Sequence, residues 1–192
     1  SPHTIKWVKS LAEKNIEIGI FSIHKANVNI YDGVKNLEIY DLGIDRNIQS
    51  KGEKDFAKIQ YFKGIKELKK VISVFNPDIV HAHYASSYGL LGALSGFHPF
   101  IVSVWGSDIY NFPSHSFIHR AIIKFNLSKA DKILSTSSIM KKETLKFTSK
   151  DVIVTPFGID ISKFYPQKVN SLFGQNDLVI GTIKTLEKKY GI

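Results

Sequence analysis

Between Phe56 and Thr155 the spacing of apolar residues switches repeatedly between two periods. Phe56, Ile59, Phe62, Ile65, Leu68, Ile72 and Phe75 recur every three or four residues with lysines between them, which predicts a long amphipathic helix. Asn76-Pro77 ends it, because the residue before proline is pushed out of the helical region. Asp78-Ile79-Val80-His81-Ala82-His83 then reads as a short buried strand. The same switch repeats with a Gly/Ala-rich helix at 86–94, a strand at 100–104, a helix at 117–127, a strand at 132–136, a helix capped by Ser138 and reaching about Phe147, and a strand at 152–155. Upstream, Ile5, Val8, Leu11 and Ala12 share one helical face with Ser1 or Thr4 as its cap, and strands are expected at 17–23 and 37–42. Short apolar strands alternating with helices require a parallel sheet covered on both faces. The fold class is therefore α/β, a Rossmann-like doubly wound sheet. In such sheets ligands bind beyond the carboxyl ends of the strands, which directs attention to His83-Tyr84, Gly106-Ser107-Asp108, Ser137-Ser138 and Gly158-Ile159-Asp160.

Composition narrows the function classes. With no cysteine among 192 residues, a disulfide scaffold, a thiolate metal site and a cysteine nucleophile are excluded, and a reducing compartment is indicated. No apolar run approaches the ~20 residues of a membrane helix. The net charge of +9 is carried almost wholly by lysine, the only arginines being Arg46 and Arg120. Nucleic-acid readers rely on the arginine fork, so nucleic acid is not the expected partner. A generally basic surface, or attraction to anionic lipid and phosphorylated substrates, both fit. The first 166 residues are expected to form one domain. A polar linker (167–176) and the opening strand of a second domain at Leu178–Ile183 (177–192) follow.

Four constellations can carry chemistry. His81 and His83 point to one face of their strand, fit to bond a loop, to hold a substrate hydroxyl, to pack as core histidines or, with further ligands, to bind metal. Trp105-Gly106-Ser107-Asp108 ends a strand with a flat ring, a flexible glycine and a carboxylate; it reads as a sugar-holding loop or as a turn capped by Asp108. Pro156-Phe157-Gly158-Ile159-Asp160 reads as a turn. From Gly181 to Gly191, Lys184, Lys188 and Lys189 gather between a strand and a helix start, either as a diphosphate site or as a solvated lysine run.

In order and spacing, Pro77–His83, Trp105–Asp108, Ala130-Asp131-Lys132-Ile133, Pro156–Asp160 with Phe164 and Pro166, and Leu186–Gly191 together resemble glycosyltransferase family 4. The resemblance implies the GT-B architecture, two Rossmann-like domains facing across a cleft. It also implies sugar transfer from a nucleotide-sugar donor to a glycan or lipid-linked acceptor with retention, in bacterial surface polysaccharide synthesis at the inner face of the membrane. It places His83 and Asp108 in the reaction, and His3, His81, Trp105, Gly106 and Ser107 on the acceptor side. Trp105 falls where many members carry a histidine. Lys184 and Lys189, with Gly181, would hold the donor diphosphate, so that neither metal nor other cofactor is needed. The family's first strand with its Gly-rich loop and its distal acidic motif are not recognisable, so the chain alone is expected to be inactive. A sugar-nucleotide epimerase of the same architecture, or a non-catalytic α/β module binding carbohydrate or phosphorylated ligands, are the alternatives.

Overall fold

The computed structural model describes residues 1–44, 54–167, 172–174 and 176–181, with the side chains of all of these except 54–61. The chain divides into two compact units, residues 1–157 and 158–192.

The first unit is α/β with only parallel strand pairs among the described residues. Helix α1 (Pro2–Ala12) precedes β1 (Ile18–His24) and β2 (Leu37–Ile44), with a 3-10 turn at Val28–Tyr31 between the strands. Helix α2 (Lys54–Phe75) then leads to β3 (Val80–His83), α3 (Ser87–Ser95) and β4 (Phe100–Val104). A single turn of helix, α4 (Ser107–Tyr110), and a 3-10 turn (Phe112–Ser114) lead into α5 (Phe117–Lys129), β5 (Lys132–Ser135), α6 (Ser138–Thr144) and β6 (Val152–Val154). β1 pairs with β2, and the other four strands form a second sheet in the order β3-β4-β5-β6. The register runs Ala82 to Val102 to Ile133 to Val152 across the second sheet.

These elements form for identifiable reasons. β4 is buried on both faces, as a central parallel strand must be: Phe100, Val102 and Val104 are at most 1% exposed, and Ser103 on the opposite face only 4%. Around it lie Ile123 and Leu127 of α5, Ile133, Met140 and Val152. A second apolar cluster joins Ile23, Leu68 and Leu91, so β1, α2 and α3 share a core although β1 and β3 are not paired. Helix α2 ends where Asn76 takes φ +49° and its N–H reaches the Ile72 carbonyl, the left-handed closure that Asn tolerates well. α5 starts at Ser116, whose hydroxyl accepts the His119 N–H.

Two local expectations change. The cap of α6 is Ser137, not Ser138: Ser137 has the extended backbone a cap needs, and its hydroxyl accepts the Met140 N–H at 3.1 Å. Helix α1 has Ser1 at its cap without a side-chain bond, and Thr4 lies inside the helix with its hydroxyl turned to another partner.

In the second unit, residues 158–167 form a turn in which Asp160 accepts from the Ser162 N–H and hydroxyl. Gly174 and Asp177 close another turn. The strand expected at 178–183 is not formed over 178–181. Leu178 and Ile180 are 90% and 88% exposed, and no described strand pairs with them to supply ladder hydrogen bonds.

Candidate active site

Period-two alternation sends His81 and His83 to the same face of β3, and α1 lies over that face. Residues 3, 4 and 7 fall on one side of α1, as helical spacing dictates. Trp7 sets its ring edge-on to His81 at 5.6 Å, and Thr4 Oγ1 hydrogen-bonds His83 Nδ1 at 3.1 Å. His81 Nε2 is hydrogen-bonded to Ser103 Oγ at 2.8 Å. The two imidazoles stand perpendicular with centroids 4.5 Å apart. From His83 the rings continue outward: Trp105 lies 4.8 Å away, His3 5.4 Å from Trp105, and Phe157 stacks on His3 at 3.6 Å with planes 4° apart. The result is a ladder of half-buried rings running from under α1 to the carboxyl rim of the sheet.

Burial sets the charge state of this ladder. It pushes the His81 imidazole down to about 4, with no charged partner among the described residues offsetting the cost. It pushes His83 down to about 3, helped by repulsion from His81 and His3. Burial also lowers His3, with Lys6 adding to the effect. Both strand histidines are therefore neutral at physiological pH. With Nδ1 committed to Thr4, His83 has its Nε2 without a hydrogen-bond partner among the described residues. A neutral imidazole of this kind can exchange a hydrogen bond with a hydroxyl, but is too weak a base to take its proton.

Asp108 departs from the substrate-facing position expected for it. It is fully buried, and its carboxylate accepts from the backbone N–H groups of Ala85 (2.7 Å), Trp105 (3.1 Å) and Gly106 (2.8 Å). Burial raises its carboxyl above the usual range, against the backbone N–H groups of Ala85, Trp105, Gly106 and its own residue, which favour the ionised form. Gly106 makes the bond possible by adopting φ +139°, a conformation open to glycine and costly for other residues. Asp108 thus ties the loop after β3 to the loop after β4 and turns no oxygen outward. Ser107 is exposed and meets the Tyr84 hydroxyl through Oγ.

Of the residues singled out in the sequence, His3, His81, His83 and Trp105 come together, and Gly106, Ser107 and Asp108 form the adjoining loop. Gly181 is exposed in the second unit, and Lys184 and Lys189 lie outside the described residues. Thr4 and Trp7 were missed as site residues. Their signal was the 3/4/7 spacing shared with His3, which the capping role given to Thr4 obscured. Among the described residues no three His, Asp or Glu side chains gather to hold a metal ion.

Helices over a parallel sheet, with rings and hydroxyls collected at its carboxyl rim, define a Rossmann-like α/β unit, a class of fold in which ligands bind beyond the strand ends. Residues 1–137 match the glycosyl transferase 4-like family, and the chain belongs to it. Over 91 residues it is 31% identical to TuaC of Bacillus subtilis (strain 168), whose name assigns it to teichuronic acid biosynthesis as a glycosyltransferase. That match takes up 46% of this chain and 23% of TuaC, so the chain spans well under two thirds of its relative.

Proposed function

We propose that this chain supplies the acceptor side of a retaining glycosyltransferase that moves a sugar from a nucleotide donor to a glycan or lipid-linked acceptor. The observation that carries the reading is the ring ladder ending at the rim beside a neutral His83 whose Nε2 has no partner among the described residues. Flat rings suit the apolar faces of a sugar. His83 Nε2 would orient the acceptor hydroxyl by a hydrogen bond rather than deprotonate it. Asp108 acts one step back, as the loop anchor. Lys184 and Lys189 are the proposed ligands of the donor diphosphate, stabilising the leaving group by charge without a metal. Surface polysaccharide synthesis is the proposed setting, supported by the likeness to TuaC.

Membrane contact belongs to the same proposal. Among the described residues no helix is long and apolar enough to cross a membrane. Helix α2 instead presents exposed Lys63, Lys66, Lys69 and Lys70 beside exposed Phe62 and Val74. Such lysines are each worth about 1 kcal/mol at an anionic surface. Flotation with vesicles containing phosphatidylglycerol should carry the chain upward and neutral vesicles should not; equal behaviour rejects the membrane contact. For the chemistry, Lys184→Ala with Lys189→Ala in the complete enzyme should nearly abolish transfer, since each charge-assisted phosphate contact is worth roughly 1.5–3 kcal/mol. Near-normal turnover would place the diphosphate elsewhere, and donor epimerisation without transfer would point to the epimerase alternative.

A further inference from the structure

The turn after β3 is held by a second buried polar side chain that the ring ladder does not use. Asn126 of α5 is fully buried, and its Nδ2 donates to the carbonyls of Ala85 (2.8 Å) and Ser86 (3.1 Å). Asp108 accepts the Ala85 N–H on the same turn. The residue just before this turn, Tyr84, has φ +93°, a conformation a tyrosine adopts only when its surroundings enforce it. The backbone of Tyr84 is also fixed, its N–H donating to the Ser103 carbonyl (3.0 Å) and its carbonyl accepting the Gly89 N–H (2.9 Å). Gly89 lies close enough that a Cβ there would sit 3.3 Å from the Tyr84 carbonyl oxygen and 3.6 Å from Asn126 Nδ2. Asn126 Oδ1 has no hydrogen-bond partner among the described residues. The amide's donors satisfy two carbonyls that a leucine would leave unpaired, while its Oδ1 gains nothing from the position. What the amide provides is two donors aimed at one turn.

We propose that Asn126 is a positioning residue of the rim: with Asp108 it clamps the Ala85–Ser86 turn from both sides and so holds Tyr84 in its left-handed conformation with its hydroxyl on Ser107. The Tyr84–Ser107 hydroxyl pair is then the polar part of the acceptor surface beside Trp105, a role that rests on the glycosyltransferase reading. The clamp itself does not. Without the two donors, the positive φ of Tyr84 is held only by Asp108 and the Ser103 and Gly89 bonds, and Tyr84 relaxes toward negative φ and withdraws its ring from Ser107.

The test reads the backbone of Tyr84 directly and needs no sugar. In the 192-residue chain, the three-bond amide–α-proton coupling of Tyr84 distinguishes positive from extended φ. In a Trp7→Phe background Trp105 is the sole emitter. Asn126→Leu should still melt cooperatively, with the Tyr84 coupling moved to its extended value and the Trp105 emission shifted. Asn126→Asp should show the same change at pH 7, where a carboxylate faces two carbonyls, and should return toward the parent as the pH falls and the new carboxyl can donate. Tyr84→Gly removes the cost of positive φ and should recover part of the melting temperature lost in Asn126→Leu. An unchanged Tyr84 coupling in the folded Asn126 variants overturns the proposal. So does failure of those variants to fold even with Tyr84→Gly, which would make Asn126 a general core residue. In the complete enzyme, Asn126→Leu and Tyr84→Phe should both raise the acceptor KM several-fold and leave the donor KM in place. A change in donor KM alone would overturn the acceptor role while leaving the clamp intact.

Discussion

Protonating the half-buried histidine pair should destabilise this protein well above the pH at which carboxylates titrate. In the unfolded chain each imidazole has its ordinary value of 6.5, whereas in the fold His81 lies at about 4 and His83 at about 3. Below pH 6.5 the unfolded state therefore binds more protons, so stability is present at neutral pH and is lost as the pH falls toward the folded values. From pH 7 to pH 5 each histidine should remove about 2 kcal/mol, or roughly 4 kcal/mol for the pair. That is a large share of the ~5–15 kcal/mol that holds a domain together. His3 adds to the effect in the same direction. Asp108 works in the opposite sense, because its raised carboxyl favours the fold at lower pH. The comparison to make is therefore with His81→Gln/His83→Gln, which keeps side chains able to bond Ser103 and Thr4 but removes the titration. Urea unfolding followed by emission from Trp7 and Trp105, the only tryptophans in the chain and both in the ladder, supplies the free energies. The parent should lose about 4 kcal/mol more than the double variant over this interval. Parallel pH dependences would show that the two imidazoles are solvated, and the ring ladder would be wrong.

Three further outcomes are expected. Asp108→Asn should lower stability by about 2 kcal/mol in chemical denaturation, because an amide offers one acceptor where the carboxylate uses two. Gly92→Ala should cost roughly 1–3 kcal/mol by thermal melting, since the new Cβ would lie within 2.5 Å of Phe100 Cζ, in a ring only 1% exposed. Thr4→Val should cost only about 1 kcal/mol of stability but should weaken acceptor binding more than this, because it frees the ring orientation of His83.

The strands and helices were legible because their apolar periods differ, and β4 in particular could only be a strand buried on both sides. The shared face of His81 and His83 followed from period two alone. The role of Asp108 did not follow, because an acid after a glycine at a strand end is equally a ligand or a loop acceptor. The choice depends on where the N–H groups of Ala85, Trp105 and Gly106 point, and the φ of Gly106 decides that. Thr4 and Asn126 were harder still. Their partners lie 79 and about 40 residues away, and nothing local distinguishes a helical threonine or asparagine with such a partner from one facing water. The strand expected at 178–183 shows the opposite failure over its described residues, 178–181: apolar residues propose a strand, but only a neighbouring strand can pair its backbone.

The most direct measurement is sugar transfer itself. Labelled sugar should pass from a nucleotide donor to lipid-linked acceptors extracted from the source membranes, catalysed by the complete enzyme that carries this chain. His83→Gln should retain the fold by melting temperature while losing most of that transfer through a raised acceptor KM. If it transferred sugar at the parent rate with the parent acceptor KM, the rim of this sheet would not be where the acceptor binds.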